Sequence, residues 1–396
     1  MKIIVNTSTY KQDLNDPSPS FINDLINEFS KSLEIFVLFP RKTKKLASQY
    51  SNSNITLIPY SYFVPRKMSN ISEKGILSSL KENKLNVIKV FLLLLSQFLK
   101  LIYYSLKIKP DYIYSHWVFP QAFIGALVCK ILNINHVFTS HGSDVSILNN
   151  LGYLGTSIKK FTIANSKKYT TVSSLANKKL NKNISLNKSK HLNVPMGINE
   201  IFFKKKSNLN KKSENLNLLF FGRITRYKGL DVVIDACYLL QQNGFKFYLK
   251  IVGSGDYKNE IIKETKKLNI MQNIEFINFE SRDNLIGHID DASVIVVPSI
   301  ETKFEFEAGP LSFLEGMARK KICLVSSSVG FVEHCSNNNS IIFESGNSSD
   351  LFKKLIQIKY LSIEERAKIK ENAFITAQKF TYKKISKKVE NFLFSV

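Results

Sequence analysis

Residues 216–244 read LNLLFFGRITRYKGLDVVIDACYLLQQNG. The residues before Gly222 are apolar apart from Asn217, which is typical of a buried strand. A helix is predicted from Leu230 to Gln242, and it ends where the glycine of Asn243-Gly244 provides a conventional stop. The loop GRITRYKG joins the two elements. A strand, a short loop and a helix in this order predict a βαβ unit and a parallel sheet covered by helices.

The same alternation continues on both sides of this stretch. Downstream, helices are predicted near 257–268, 281–289 and 310–319, between the strand-like segments FKFYLKIVG, IEFIN, SVIVVP and ICLVSS. Upstream, long intervals separate the strand-like segments KIIVN, EIFVLF, ITLI, DYIYS, HVFTS, TTVS and HLNVP. The sequence therefore predicts an α/β chain with two Rossmann-like, doubly wound domains. Nucleotides bind such folds at the carboxyl ends of the strands, so we expect both sheets to face a central cleft.

Length and composition indicate where one domain ends and the next begins. At 396 residues and 44% hydrophobic, the chain is longer than the roughly 250–300 residues at which a single core stops growing. The segment KKKSNLNKKSEN, 204–215, is polar and aperiodic, and we expect it to be a solvated linker. It separates a first domain, 1–203, from a second domain, 216–379. An amphipathic helix within 380–396 is expected to pack back on the first domain.

Charge and cysteine content restrict the class of protein. The net charge of +24 favours phosphates, whether in nucleic acid, anionic lipid or nucleotide. The cysteines, at positions 129, 237, 323 and 335, form no CxxC pair, which argues against a zinc site and a disulfide framework and favours a reducing compartment. The first residues, MKIIVNTSTY, predict a buried strand rather than a signal peptide.

The segment 86–107 is the one candidate membrane element in the sequence. Its longest uncharged stretch, 90–99, is too short to span a bilayer, which needs about 20 apolar residues. On a helix, its polar residues fall along one narrow stripe: Asn86, Lys89, Ser96, Lys100 and Lys107. Two interpretations stay open, a core-packed helix with one wet edge or an interfacial helix on anionic lipid.

The loop GRITRYKG carries three cations, Arg223, Arg226 and Lys228. It follows a strand and opens a helix, so free backbone N–H groups and the helix dipole already favour an anion there. A diphosphate fits this loop, because Arg forms a fork to phosphate oxygens and Lys supplies a point charge. Together they would stabilise a departing diphosphate without a metal ion. The alternative is that the three side chains are simply solvated.

A second candidate site is PSIETKFEFEAGPLSFLEGMA, 298–318. Glu307 is predicted in the loop before a helix and Glu315 on its second turn, so that both carboxylates can accept sugar or ribose hydroxyls in one pocket. Small residues at 308 and 309 allow close backbone approach, and Pro310 suits the first turn of the helix. The alternative is an ordinary helix start, where the dipole favours acidic residues.

The order and spacing of these motifs resemble the family 4 retaining glycosyltransferases (glycosyl transferases group 1), which have the GT-B fold, and in particular members that build bacterial surface polysaccharides. The resemblance covers nearly the full length. The motifs that carry it are SHWVFPQAFIGALVCK, TSHGSD, VPMGINEIFF, GRITRYKG, IVGSGD, VVPS, EAGPLSFLEGMA and SSSVGFVEH. One departure is 14–21, LNDPSPSF, which lacks the glycines that the family usually carries there.

The resemblance implies roles for particular residues. It makes the first domain the acceptor-binding domain and the second the nucleotide-sugar-binding domain. Arg223 and Lys228 would grip the donor diphosphate, Glu307 would hold the transferred sugar, and Glu315 would hold the ribose. Further residues are implied at the donor by their motifs: Gly309, Pro310, Leu311, His141 beside the sugar, and Gly142 and Asp144 in the loop of that histidine. His116 and Trp117 either contact the acceptor or only pack the domain.

The resemblance also implies the reaction and its setting. A sugar, most simply from a UDP-sugar, would pass with retained configuration and without a metal cofactor to a lipid-linked or growing glycan of an O-antigen or capsule. The positive charge and the apolar segment 86–107, judged too short to span a bilayer, favour a cytoplasmic enzyme that is peripheral at the inner face of the membrane, with anionic lipid as a partner. Two alternatives remain. One is a catalytically silent nucleotide-sugar-binding subunit, and the other, more remote, is a basic nucleic-acid-binding protein, for which no RRM, KH or helix-turn-helix signature is present.

Overall fold

The structure is a computed structural model that describes residues 1–12, 20–41, 53–62, 86–184, 188–204, 216–278 and 281–395. It divides into a first unit, Met1–Val194 with Lys383–Val396, and a second unit, Pro195–Tyr382. The division lies before the expected linker, of which 205–215 falls outside the described residues. Most of the glycine-free stretch 14–21 also lies outside them.

The first unit contains a parallel sheet of seven strands in the order β3-β2-β1-β4-β5-β6-β7. The strands are β1 Lys2–Asn6, β2 Glu34–Pro40, β3 Ile55–Tyr60, β4 Tyr112–His116, β5 Asn135–Ser140, β6 Lys168–Thr171 and β7 His191–Asn193. The helices are α1 Phe21–Asn27, α2 Asn86–Ile108, α3 Phe123–Leu132, α4 Ser143–Asn150, α5 Gly152–Ala164, α6 Ser174–Leu180 and α13 Tyr382–Leu393.

The second unit contains a parallel sheet of six strands in the order β10-β9-β8-β11-β12-β13. The strands are β8 Leu216–Phe221, β9 Phe247–Val252, β10 Ile274–Ile277, β11 Val294–Val297, β12 Ile322–Ser326 and β13 Ile341–Phe343. The helices are α7 Leu230–Gln242, α8 Lys258–Lys267, α9 Arg282–Asp291, α10 Leu311–Ala318, α11 Ser348–Tyr360 and α12 Ile363–Ala377. The predicted α/β class with two parallel sheets is confirmed.

Each sheet reverses its strand order once, and this reversal positions the candidate sites. In the first unit β1 lies between β2 and β4, and in the second unit β8 lies between β9 and β11. Crossovers leave such a point in opposite directions, so a crevice opens beyond the carboxyl ends of the two central strands. The residues at those ends are Asn6 and His116 in one unit, and Phe221 and Val297 in the other.

The helix boundaries follow the local signals in the sequence. The helix predicted from Leu230 to Gln242 is α7, and it has the expected bounds. Helix α9 begins after Ser281, whose hydroxyl accepts a hydrogen bond from the backbone N–H of Asn284. Pro310 is not in the first turn of α10, which corrects our prediction by one position. Its ψ of 112° is extended, so it caps the helix and Leu311 is the first helical residue. The short strand β13 was not predicted.

Helix α2 has an inner face that packs on the sheet of the first unit. Its buried residues are Leu93, Gln97, Leu101 and Ser105. The Gln97 amide donates to Asn6 Oδ1 at 2.8 Å, and the Asn6 amide donates to the carbonyl of Gln121 at 3.0 Å. The expectation that 86–107 is too short to span a bilayer is corrected, because α2 has 23 residues and is long and apolar enough to do so by length and composition. Its inner face, however, is already part of a protein core.

Two neighbouring leucines of α2 test this packing. Leu101 is fully buried whereas Leu99 is 55% exposed. We expect Leu101→Ala to lower the free energy of unfolding of the first unit by about 2–5 kcal/mol, because it leaves a cavity. The matched control Leu99→Ala should change it by less than about 0.5 kcal/mol. Urea unfolding followed by the fluorescence of Trp117, the sole tryptophan, measures both; equal effects would contradict the assignment of faces.

Candidate functional site

In the second unit, glycines hold the loop after β8 against its neighbours. Gly253 has a φ of 152°, and a Cβ there would lie 1.9 Å from the carbonyl oxygen of Gly222. Gly229 has a φ of 66°, and a Cβ there would lie 2.1 Å from the carbonyl oxygen of Pro298. Side chains at these positions would force the backbones apart. The loop that carries the three cations is therefore fixed against the ends of β9 and β11.

The cations of this loop occupy different environments. Residues Arg226–Lys228 form a short 3-10 turn, and Gly229 caps α7. The Arg223 guanidinium donates to the Tyr227 hydroxyl at 3.3 Å. The pKa of Arg223 is raised, chiefly by Tyr227 and further by nearby glutamates, although burial acts in the opposite direction. Arg226 is exposed. The structure thus gives Arg223 and Lys228 partners within the site.

Lys228 forms an ion pair with Glu307, which is 79 residues away in the sequence. Glu307 is buried, with 8% of its surface exposed. Burial by itself lowers the pKa of the Lys228 ammonium, but Glu307 and Tyr227 outweigh burial, and the pKa is raised. The lysine is consequently protonated at neutral pH. The fold joins the cation loop to the acidic motif across the point where β8 and β11 lie side by side.

Hydrogen bonds hold both the side chain and the backbone of Glu307. Ser299 is buried and donates to Glu307 Oε2 at 3.3 Å, the same oxygen that Lys228 contacts. The backbone N–H of Gly330 donates to the carbonyl of Glu307 at 2.7 Å. Ser328 donates to the carbonyl of Ser299 at 2.9 Å. Ser299 was not among the predicted site residues, although it follows β11 directly after Pro298, where a site residue is expected.

The remaining acidic-motif residues lie where this loop becomes α10. Glu315 is half-buried on the second turn of the helix, Gly309 is half-buried in the loop, and Leu311 begins the helix. The structure therefore places both predicted glutamates as expected along the chain, one before the helix and one within it. A carboxylate and the free N–H groups of a helix start are suited to hydroxyl and phosphate groups respectively.

In the first unit, two histidines meet where β4 and β5 end. His116 Nδ1 and His141 Nε2 are 3.0 Å apart, so one ring nitrogen donates to the other. His116 is fully buried, and burial followed by the neighbouring His141 lowers its pKa well below the usual range. Burial also lowers the pKa of His141, to about 3. Both imidazoles are therefore neutral at pH 7, and this pair offers hydrogen bonds rather than positive charge.

Aromatic rings surround this histidine pair. The rings of His141 and Trp117 are 4.9 Å apart, and those of His141 and Phe21 are 5.0 Å apart. Trp117 has a φ of 72°, an uncommon conformation for a side chain of this size. The structure thus brings together three residues that the sequence singled out, His116, Trp117 and His141. The sequence did not indicate that Phe21 would join them.

Asp144 connects the loop after β5 to the loop after β4. Its Oδ2 accepts hydrogen bonds from the backbone N–H groups of Val118 and, at 3.2 Å, Phe119. Its Oδ1 is buried without a partner among the described residues. Burial raises the pKa of Asp144 to about 6, against the lowering effect of the backbone donors. Gly142, with a φ of 101°, caps the same helix. Asp144 and Gly142 therefore shape the loop that follows His141.

The acidic, histidine and cysteine side chains do not form a metal-binding cluster in the part of the chain that the structure describes. Within those ranges, no group of three or more His, Cys, Asp or Glu residues is arranged to hold a metal ion. The four cysteines are free thiols, and burial raises the pKa of Cys129, Cys237 and Cys323.

The raised pKa of Asp144 predicts a pH dependence of stability. A carboxyl whose pKa is about 6 in the fold and 3.8 when unfolded stabilises the fold below about pH 4 and loses this contribution as the pH rises through 6. The amide introduced by Asp144→Asn keeps an acceptor for both N–H groups but does not ionise. As the pH rises from 4 to 7, the free energy of unfolding of the variant should increase relative to that of wild type by up to about 3 kcal/mol.

The quantity to measure is the difference in the free energy of unfolding between wild type and Asp144→Asn, because the neutral histidines affect both proteins alike. Urea unfolding followed by Trp117 fluorescence at pH 4, 5, 6 and 7 gives it directly. A difference that stays constant over this range would show that the fold does not raise the pKa of Asp144.

Comparisons with known proteins agree with this architecture. The family models "Glycosyl transferase 4-like" and "Glycosyl transferases group 1" match residues 14–174 and 201–375. An uncharacterized glycosyltransferase of Methanocaldococcus jannaschii, MJ1178, is 31% identical over 277 residues, 69% of this chain and 72% of the relative. The amylovoran biosynthesis glycosyltransferase AmsK of Erwinia amylovora is 27% identical over 126 residues, 32% of this chain and 31% of the relative.

Solved structures show the same fold. The crystal structure of Anabaena HepE in complex with UDP superposes with a TM-score of 0.73 at 15% identity, over 100% of both chains. The complex of the same protein with UDP-glucose gives a TM-score of 0.73 at 14% identity, again over 100% of both chains. The resemblance found in the sequence is confirmed: this chain belongs to the family 4 glycosyltransferases (glycosyl transferases group 1) and has the two-domain, Rossmann-like GT-B fold.

Proposed function

We propose that this glycosyltransferase transfers a sugar, with retained configuration and without a metal cofactor, from a nucleotide-diphosphate sugar to a glycan acceptor. The observation that carries the proposal is the pairing of Lys228 with Glu307 beside Arg223, at the strand-order reversal of the second unit. One cation group for a diphosphate and one carboxylate for a sugar lie together there. A nucleotide-diphosphate sugar presents these two chemistries within one small molecule.

Arg223 and Lys228 are proposed to bind the donor diphosphate. The raised pKa of Lys228 keeps its ammonium charged although it is largely buried. A fixed positive charge in such surroundings stabilises the negative charge that grows on a leaving diphosphate more strongly than it would in water. UDP is the favoured nucleotide, which agrees with the UDP and UDP-glucose complexes of the Anabaena protein.

Glu307 and Glu315 are proposed to bind hydroxyl groups of the same donor. Glu307, oriented by Ser299, would accept from the transferred sugar, and Glu315 from the ribose. Gly309, Pro310 and Leu311 mark the path between them, where the glycine and the leucine can donate backbone N–H groups but the proline has none. In the first unit, His141 is proposed to contact the donor sugar through a neutral ring held by His116.

In the proposed reaction, the bond between the anomeric carbon and the diphosphate oxygen breaks, and a bond to the acceptor oxygen forms on the same face. The acceptor proton passes to the leaving phosphate oxygen. The transition state carries positive charge on the sugar and negative charge on the diphosphate. Arg223 and Lys228 oppose the latter, and Glu307 holds the sugar in place. No protein nucleophile takes part.

The acceptor is proposed to be a lipid-linked or growing glycan of a cell-surface polysaccharide, such as an O-antigen or capsule. The name of the related AmsK, an amylovoran biosynthesis glycosyltransferase, supports this setting. The proposed location is the cytoplasmic face of the cell membrane, as a peripheral enzyme. Trp117 is proposed to contact the acceptor, because it follows β4 at the reversal point of the first unit. His116 was also expected there, but it is fully buried and holds the ring of His141 instead.

The donor assignment is tested with UDP-, GDP- and ADP-sugars in the presence of EDTA, by thermal shift and by release of nucleotide diphosphate. We expect one donor to stabilise and turn over in wild type. Lys228→Ala should lower kcat by about 10²–10³-fold, and Glu315→Ala should weaken donor binding by about 10–100-fold. The matched controls Lys267→Ala and Glu264→Ala, which break an exposed pair of the same unit, should behave as wild type.

Each outcome of that experiment has a definite meaning. Binding without turnover of any donor would make the chain a nucleotide-sugar-binding subunit. Failure of every donor to bind, with the site variants behaving as wild type, would refute the assignments of Lys228 and Glu315. Turnover that EDTA abolishes and added Mg²⁺ restores would refute metal independence alone.

Retention is tested separately on the product. With the donor so identified and a simple glycoside as acceptor, the coupling constant of the new anomeric proton in an NMR spectrum should match the configuration of the donor. The opposite configuration would refute the single-displacement mechanism on one face, while leaving the transferase assignment intact.

A further inference from the structure

Helix α2 exposes a continuous apolar face to the solvent. Seven of its large apolar side chains are between 40% and 61% exposed: Val87, Ile88, Phe91, Leu95, Leu99, Tyr103 and Leu106. Most follow one another at intervals of three or four residues, so they form a stripe along the whole helix. Scattered exposed apolar residues are ordinary on a protein surface, but a stripe of this length marks an interaction surface.

The stripe is opposite the face that packs on the sheet. At 100° per residue, Gln97 and Leu101 centre the buried side, and Leu95 and Leu106 lie on the far side of the helix axis. Three lysines, Lys89, Lys100 and Lys107, lie between the two faces along one edge. The helix therefore has a core face, an outer apolar face, and a basic edge where they meet. The apolar residues of α2 are thus divided between the core face and the outer face.

The buried face excludes a crossing of the bilayer. Leu93 and Leu101 are in the core of the first unit, and the Gln97 amide is bonded to Asn6 at the end of β1. A membrane-spanning position would expose that core and break this bond. A position in the plane of the membrane, with the stripe directed into the lipid, keeps both. The width of the stripe suits a helix that is immersed on one side only.

The net charge indicates whether a bilayer or a second copy of the chain covers the apolar stripe of α2. The net charge is +24, so two copies repel one another whereas an anionic membrane attracts each of them. Lysines at the edge of an interfacial helix extend their stems along the apolar surface and reach lipid phosphates. In a dimer through the same stripe, the lysine edges would add like charge to the interface.

We propose that the outer face of α2 is a membrane-docking surface, which lies in the plane of an anionic bilayer at the boundary between headgroups and acyl chains. This inference deepens the proposed function and rests on its placement of the enzyme at a membrane. It assigns that location to a particular surface, and it combines the two interpretations of 86–107 in one helix that packs on the core and binds lipid.

Vesicle flotation tests the surface. Wild type should float with phosphatidylcholine vesicles containing about 30% phosphatidylglycerol and bind much less to pure phosphatidylcholine, because anionic lipid attracts the basic chain. The triple variant Phe91→Ser, Leu95→Ser, Leu99→Ser should lose at least about tenfold in the bound fraction, because it removes the apolar contact. A matched triple variant on exposed residues of the second unit, Tyr360→Ser, Ile363→Ser, Ile375→Ser, should bind as wild type.

The basic edge is tested in the same way. The triple variant Lys89→Gln, Lys100→Gln, Lys107→Gln should reduce binding to the anionic vesicles several-fold, and the loss should shrink at high salt. The control removes three exposed lysines from α13, with Lys383→Gln, Lys384→Gln and Lys387→Gln. It makes the same change in net charge and should have a clearly smaller effect.

Orientation is tested by depth. A tryptophan placed at Ile88, Leu95 or Leu106 in turn should be quenched to a similar extent by brominated lipids, since these positions lie on one side of the helix and a helix in the membrane plane holds all three at one depth. Quenching that differs strongly along the helix would indicate a crossing and overturn the proposal. Vesicle binding that is unchanged in the serine variant would also overturn it. So would a wild-type dimer that binds no vesicles and that the serine variant converts to monomer.

The failure of this inference can be told apart from the failure of the proposed function. The serine variant should keep the wild-type melting temperature and the wild-type thermal shift with the donor, because its three positions face solvent in the other unit. Loss of vesicle binding with the donor response intact supports the surface. Wild type that binds vesicles through α2 but no nucleotide sugar would refute the donor assignment and leave the surface standing.

Discussion

The ion pair between Lys228 and Glu307 is the interaction on which the candidate site depends. Taking two charges out of water is costly, and their attraction offsets that cost only when further hydrogen bonds hold the geometry. Here Ser299 donates to the carboxylate and the N–H of Gly330 donates to the backbone carbonyl of Glu307, while Gly229 lets the cation loop approach β11. The strand order, with β8 beside β11, is what brings the two motifs together.

At the equivalent place in its sheet, the first unit carries hydrogen-bonded polar groups instead of an ion pair. There the strand ends carry neutral histidines, and the buried carboxyl of Asp144 is bonded to backbone N–H groups rather than to a cation. Burial acts on both kinds of group in the same sense, because it disfavours the charged form of each. The first unit therefore offers a site of hydrogen bonds and rings, and the second a site of charges. A sugar with uncharged hydroxyls suits the former and a diphosphate the latter.

Much of this could be predicted from the sequence, because strand, loop and helix signals are local. The helix Leu230–Gln242 and the cation loop before it were identified from periodicity and a glycine stop. The ion pair and the role of Ser299 were not, since they join residues far apart in the chain and depend on which strands are neighbours. Strand β13 is too short for a clear pattern. Helix α2 was ambiguous because it is apolar on two sides, and sequence alone does not tell a buried side from an exposed one.

The shared oxygen of Glu307 links the two halves of the proposed donor. Lys228 and Ser299 both contact Oε2, so a diphosphate that draws the ammonium away leaves the carboxylate held by Ser299 alone. A buried carboxylate that loses its counter-ion is destabilised, unless a new donor reaches it. The hydroxyls of a sugar on that diphosphate supply such donors. A complete nucleotide sugar therefore replaces each contact that it disrupts, whereas a bare nucleotide diphosphate satisfies Lys228 at the expense of Glu307. In the proposed function, this imbalance favours binding of the substrate over retention of the product.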